Sequence, residues 1–239
     1  ELFNQHISQQ FNAELEEIRT QLLEMGGLVE KQINDAIVAL IEGDAKLAEQ
    51  VREKDDAINQ MELDIDQECM RILARRQPAA SDLRLVISIS KIIVDLERIG
   101  DEASKIARRA IDLVEAGQAP KGYVECRHIG HHVRRMVQES LDAFARMDTD
   151  QAFSVAREDK SVDQEYKSAM REMITFMMED PRSISRVLNI LWVLRSLERV
   201  GDHARNVAEH VIYLVKGTDV RHIGLKRMEA EVRKDSNSE

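Results

Sequence analysis

Two short segments of this 239-residue chain pair a glutamate with an aspartate four residues on. Glu97 precedes Asp101 in D-L-E-R-I-G-D, and Glu198 precedes Asp202 in S-L-E-R-V-G-D. Residues four apart on an α-helix lie within about 40° of each other around the axis, so each pair shares a face. Leu83, Val86 and Ile93 flank the direction of the first pair, and Ile184, Val187, Leu191 and Leu194 that of the second. The acids therefore stand in the middle of an apolar stripe rather than at its edge. Two other segments repeat the pattern. Asp55, Asn59 and Glu62 share an arc with Val51, Cys69 and Leu73, and Asp159 and Asp163 with Val155, Val162 and Met173.

Acids are seldom buried without a partner. If these helices pack antiparallel, the pairs meet, and up to four oxygen-bearing side chains face one another in each half of the chain. Left alone they would repel and take up protons. An ion-pair network drawing on Arg98, Arg199 and Arg205, water in a polar groove, or a multivalent cation would each relieve that. Hard oxygen ligands suit Mg, Ca, Mn, Fe or Zn. The expected metal ligands are Asp55, Asn59, Glu62, Glu97 and Asp101 in the first half and Asp159, Asp163, Glu198 and Asp202 in the second. They would hold a divalent or trivalent ion such as Mg, Mn, Zn or Fe. Asn59 offers only a neutral carbonyl oxygen, so the first site is expected to be weaker unless Glu62 compensates.

The elements that must position these residues follow from three-and-four spacing of apolar side chains. The spacing predicts helices over about 3–41, 44–76, 81–116, 124–147, 150–180 and 183–216, with Asp44 and Ser81 as N-caps and Gly217 as a C-cap. Gly26-Gly27 is expected to bend the first, and Pro78 and Pro181 each enforce a break. The segment 117–122, with Pro120 between glycines, reads as a linker. The charged stretch 219–239 is expected to form a short helix and then fray. The halves align: Val29, Ile33, Leu40 and Asp44 match Val133, Val137, Phe144 and Asp148, and Asp55, Pro78, Glu97 and Asp101 match Asp159, Pro181, Glu198 and Asp202. A repeat that long is a domain duplication. The expected fold is all-α, two tandem homologous three-helix bundles over 1–118 and 119–217, followed by a charged C-terminal tail over 218–239.

Composition narrows the function. A formal net charge of −10 and no long Lys/Arg run argue against a nucleic-acid partner. No stretch reaches the roughly 20 apolar residues of a membrane span. Cys69 and Cys126 form no disulfide framework, no signal peptide is visible, and a cytoplasmic location is expected. Cys69, on the inner stripe, reads as an inert core thiol, and the methionines as core filler. A di-iron or hydrolytic metalloenzyme is the alternative function. Di-iron bundles need two Glu-x-x-His motifs, and the one match is Glu125 with His128. His203 is expected to point outward, and His131 and His132 to lie at the surface. No phosphate-cradling glycine loop and no Gly-x-Ser-x-Gly elbow occurs. A non-enzymatic interaction protein fits better.

Two copies of L-E-R-[IV]-G-D, each preceded by D-x-x-[IV]-[DN], together with Gln77–Arg84 (Q-P-A-A-S-D-L-R) and Gly201–Asn206 (G-D-H-A-R-N), resemble the PhoU family over nearly the whole chain. The resemblance implies two three-helix bundles and metal held at E(D)-x-x-x-D motifs. It also implies negative regulation of the phosphate-starvation (Pho) regulon. The expected partners are the phosphate ABC transporter ATPase subunit and a sensor histidine kinase. A homodimer that meets the membrane only through such partners is expected as well.

Overall fold

Each stretch of three-and-four apolar spacing becomes a helix. The computed structural model describes residues 2–117 and 123–234, with side chains from residue 9 onward. The helices are α1 (Leu2–Glu42), α2 (Ala45–Glu53), α3 (Asp55–Arg76), α4 (Ala80–Glu115), α5 (Val124–Arg146), α6 (Thr149–Glu179), α7 (Ile184–Lys216) and α8 (Leu225–Arg233). A 3₁₀ turn at Pro181–Ser183 leads into α7, and no strand occurs among the described residues.

Local chemistry sets the ends. Asp44 accepts a hydrogen bond from the backbone N–H of Leu47 at 2.9 Å, and Asp148, its counterpart in the repeat, from that of Gln151 at 2.9 Å. Gly217 ends α7 at φ +72°, a conformation glycine adopts without strain. Ser81 is not the cap of α4: Ala79 holds that place without a side-chain bond. The single helix expected over 44–76 is divided at Lys54, which puts Asp55 and Asp56 in the first turn of α3. There the positive end of the helix dipole favours them. In the second half the matching α6 runs unbroken through Asp159.

α1, α2–α3 and α4 form one bundle, and α5, α6 and α7 the other, with α4 and α7 side by side at the centre. Both central helices bury residues at almost every turn on two sides. Ile92, Ile93, Leu96, Ile99, Ala103 and Ile106 do so on α4, and Val193, Leu194, Leu197, Val200, Ala204 and Val207 on α7. That is how a helix covered on both flanks must read. Polar pairs fix their register. Asp95 accepts from Asn206 Nδ2 at 3.0 Å and lies 2.8 Å from His203 Nδ1, and Arg199 Nε lies 3.2 Å from Glu102 Oε1. His203 thus corrects its expected outward position: it leaves its own bundle but is buried against α4, 7% exposed.

Gly26 and Gly27 do not break α1. A side chain at Gly26 would put its Cβ 2.6 Å from Leu141 Cδ2, and one at Gly130 would meet Ile37 Cδ1 at 2.9 Å. These glycines let α1 and α5 approach closely where the bundles cross. Of the linker, Gly117 is seen at φ +64°; 118–122, and with them the expected domain boundary, lie outside the described residues. α8, the short helix expected in the tail, buries Met228 and Val232 and packs on α6; residues 235–239 are likewise outside the described part.

Urea unfolding tests the crossing. Gly130→Val should destabilise by about 1–3 kcal/mol through overpacking against Ile37. Gly27→Ala, with nothing within 4 Å of its Cβ, should be neutral or stabilise by about 0.5–1 kcal/mol.

Candidate metal centre

In the second bundle α6 supplies Asp159 and Asp163 and α7 supplies Asp202. One carboxylate oxygen from each lies within 4.8 Å of the other two. Asp159 is 4% exposed. Its Oδ2 lies 3.2 Å from Arg205 Nη1, while its buried Oδ1 has no hydrogen-bond partner. Glu198, one turn before Asp202, accepts from Arg195 Nη1 at 2.8 Å. Arg205 also donates through Nε to the buried Glu209 at 2.9 Å. Gly201 faces this acid: a Cβ there would sit in ordinary contact, 3.4 Å from Val162 Cγ1 and 3.7 Å from Asp159 Oδ1.

Burial first, and like charge second, govern this cluster. Desolvation raises the pKa of Asp202, and the charges of Asp159 and Asp163 raise it further. Glu198 is raised by burial and by Asp202. Asp159 is raised by burial despite the hydrogen bond from Arg205. Five carboxylates (Asp159, Asp163, Glu198, Asp202 and Glu209) share this seam with Arg195 and Arg205. Two guanidiniums do not neutralise them.

The first bundle repeats the arrangement with altered chemistry. Burial raises the pKa of Glu97, with Asp101, Glu62 and Asp55 adding to the effect. Asp55 is raised by burial and by Asp101, opposed by a hydrogen bond from Gln32 Nε2 at 3.1 Å. Glu62 is raised by burial and by Asp66. The buried Oδ1 of Asn59 and Oε1 of Gln32 have no donor. Gly100 corresponds to Gly201: a Cβ there would lie 3.0 Å from Gln32 Oε1 and 3.6 Å from Asp55 Oδ1.

Of the nine expected ligands, five on α3 and α4 and four on α6 and α7, Asp159 is buried and the other eight are half-buried; Asp159, Asp163 and Asp202 are the three brought together. Gln32 escaped the sequence reading. It falls on the α1 stripe between Val29 and Ala36, and a lone amide at such a position was the available signal; Met136 replaces it in the repeat. His132 corrects its expected surface position. Only 12% of its side chain is exposed, and it bridges Glu158 at 3.0 Å and Glu165 at 3.1 Å. His131 is exposed as expected. Cys69 and Cys126 are buried, and burial pushes both thiols up to about 12, which leaves them inert at neutral pH.

The donor set fits a hard cation. Oxygens bound to one ion at 2.0–2.6 Å can lie at most about 5 Å apart, and the Asp159, Asp163 and Asp202 oxygens satisfy that. The acceptor-only atoms Asp159 Oδ1 and Asn59 Oδ1, buried without donors, are what a cation would engage and a salt-bridge network would not leave.

A family model described as PhoU domain matches the chain twice, at residues 22–110 and 126–211. A Pseudomonas aeruginosa protein named "Phosphate-specific transport system accessory protein PhoU homolog" is 74% identical over 227 residues, covering 95% of this chain and 94% of the relative. The crystal structure of PhoU from Pseudomonas aeruginosa superposes with a TM-score of 0.85 at 73% identity, covering 87% of this chain and 100% of that one. The crystal structure of the phosphate transport system regulatory protein PhoU from Streptococcus pneumoniae gives 0.81 at 35% identity, over 88% and 99% of the two chains.

The raised acids set a pH dependence for the metal-free protein. Their folded pKa values exceed the unfolded ones, so the folded state binds protons more tightly. That stabilisation is fully present below the unfolded carboxylate pKa and is lost as pH rises through the raised values. Between about pH 4 and neutrality, chelator-treated Asp202→Asn should lose less Tm on raising the pH than the parent chain. Melts followed by circular dichroism check this, and equal slopes would mean that arginine already relieves the cluster.

Proposed function

The chain belongs to the PhoU family, and from that membership we propose that it is a metal-binding negative regulator of the phosphate-starvation (Pho) regulon. The coarser role follows from the relatives. They are named accessory and regulatory proteins of phosphate transport, and the chain is, with them, a non-enzymatic phosphate-transport regulatory protein. The finer reading is that it links the phosphate ABC transporter ATPase subunit to the sensor histidine kinase and represses the regulon when phosphate is plentiful. It acts as a homodimer in the cytoplasm and reaches the membrane only through those partners. Among the described residues no helix is long and apolar enough to cross a membrane, which agrees with that arrangement.

The observation that carries the metal part is the convergence of Asp159, Asp163 and Asp202 around the unpartnered Asp159 Oδ1. Asp159, Asp163, Glu198 and Asp202 would hold the ion in the second bundle, and Asp55, Asn59, Glu62, Glu97 and Asp101 in the first. Bound there, a divalent or trivalent ion (Mg, Mn, Zn or Fe) would neutralise charge that the helices otherwise bury at a cost. It would tie α6 to α7 and α3 to α4. Such a tie changes the rigidity of the bundles and supplies a signal without chemistry.

A divalent ion at one hundred times its Kd should stabilise the chelated protein by about 2.7 kcal/mol, and the gain should vanish in Asp159→Asn/Asp202→Asn; thermal melts with added Mn or Mg measure it. In cells lacking the gene, phosphate-starvation reporters should be on in rich phosphate and be silenced again by the chain. Unaltered reporters in the deletion strain would remove the regulatory assignment, whereas silencing by the double variant as strong as by the parent would remove only the metal's part in it.

A further inference from the structure

Beside the second cluster opens a concavity of about 640 Å³, walled by Arg195, Arg199, Arg205 and Asn206 of α7 and by Arg221 and His222 from the turn after it, with His203 and the carboxylates of Asp202 and Glu209 also in its lining. We propose that this concavity is an anion site for a phosphate-class oxyanion, either inorganic phosphate or the phosphate group of a small monoester.

The charge here is layered. Every one of these arginines has a carboxylate neighbour, but three of them stand in front of theirs. Arg199 is 47% exposed and Glu102 behind it 3%; Arg205 is 31% exposed and Asp159 and Glu209 5% each; Arg195 is 49% exposed and Glu198 12%. Arg221 differs, because its partner Asp219 is itself exposed. Arg195, Arg199 and Arg205 therefore present cations over buried acids, on a face that Asp202 and Glu209 also line. A guanidinium carries five N–H donors in a planar fork. The pairs named here engage one nitrogen of Arg195, one of Arg199 and two of Arg205. The remaining donors suit the edges of a tetrahedral oxyanion, which such forks grip in bidentate fashion.

Packing does not require these arginines. The repeat places Val94 where Arg195 stands and Ser104 where Arg205 stands, and only Arg98 matches Arg199. Both bundles nevertheless have the same helices and the same acid seam. The arginine wall is an addition to one copy. Nor does the site need a metal, although Asp202 belongs to both features. Its bare carboxylate would repel an anion, and a cation on Asp159, Asp163 and Asp202 would reverse that. Oxyanion affinity should therefore rise when the cluster is loaded.

Isothermal titration of the full chain with inorganic phosphate, and separately with glycerol 3-phosphate, tests this with and without Mg. Saturable binding is expected, weakened by about tenfold or more in Arg195→Ala/Arg199→Ala. It should be partly kept in Arg195→Lys/Arg199→Lys and unchanged in Arg71→Ala, an arginine elsewhere on α3. Circular dichroism melts of the variants separate lost binding from lost folding. Binding of the ester alone would keep the site and assign it to a phosphorylated metabolite. Absence of saturable heat with either probe, or equal affinity in the parent and a folded alanine pair, would overturn the proposal. Phosphate binding in a protein that takes up no Mg would contradict the cation reading and leave the anion site standing; Mg uptake without phosphate binding would do the reverse.

Discussion

Carboxylates forced together on an apolar seam are the constraint from which the rest of this structure can be understood. Taking one ionised carboxylate out of water is expensive, and placing several within a few ångströms adds mutual repulsion. Helices α3, α4, α6 and α7 nevertheless carry Asp55, Glu97 and Asp101, and Asp159, Asp163 and Asp202, inward. Desolvation leaves most of these acids harder to ionise than free ones. Replacement by leucine would relieve the strain at every position. That the fold keeps them twice, with Gly100 facing Asp55 and Gly201 facing Asp159, is what supports the proposed cation sites.

The two copies have diverged in how that charge is met. In the first, Gln32 donates to Asp55 and Asn59 stands where Asp163 stands in the second, so part of the acidic charge is gone and an amide partly satisfies the rest. In the second, Arg205 reaches Asp159 and Glu209, and arginines gather outside. The copies are joined through α4 and α7, the helices that carry the Glu97/Asp101 and Glu198/Asp202 pairs. Asp95, two residues before Glu97, meets His203, one residue after Asp202, and Glu102 meets Arg199. Whatever shifts α7 at its acid pair therefore presses on the residues beside the other pair, through packed and hydrogen-bonded neighbours rather than across solvent.

Helical periodicity made the architecture legible, because each stripe and cap is a local signal. Asp44 caps as expected, its repeat counterpart Asp148 caps at the matching place, and the inward direction of Glu97, Asp101, Glu198 and Asp202 needs only the 100° turn of a helix. What stayed hidden depends on which helices pack on which. His203 is outward with respect to its own bundle and becomes interior once α4 lies against α7. Gly26 is flexible as a local signal, but Leu141 of α5 occupies the space it leaves. His132 turns from surface to seam because Glu158 and Glu165 of α6 close over it. The break at Lys54 had no visible signal in the sequence, and the cap bonds around it give no physical account of why α6 lacks one.

The central claim is that the second bundle's acids form a cation site. Elemental analysis of the untagged protein, desalted after equilibration with Mn, Mg, Zn or Fe, addresses it most directly. The account predicts at least one retained ion per chain, lost in Asp159→Asn/Asp202→Asn. Trace, substoichiometric metal in the parent, or equal retention in the folded double variant, would contradict it.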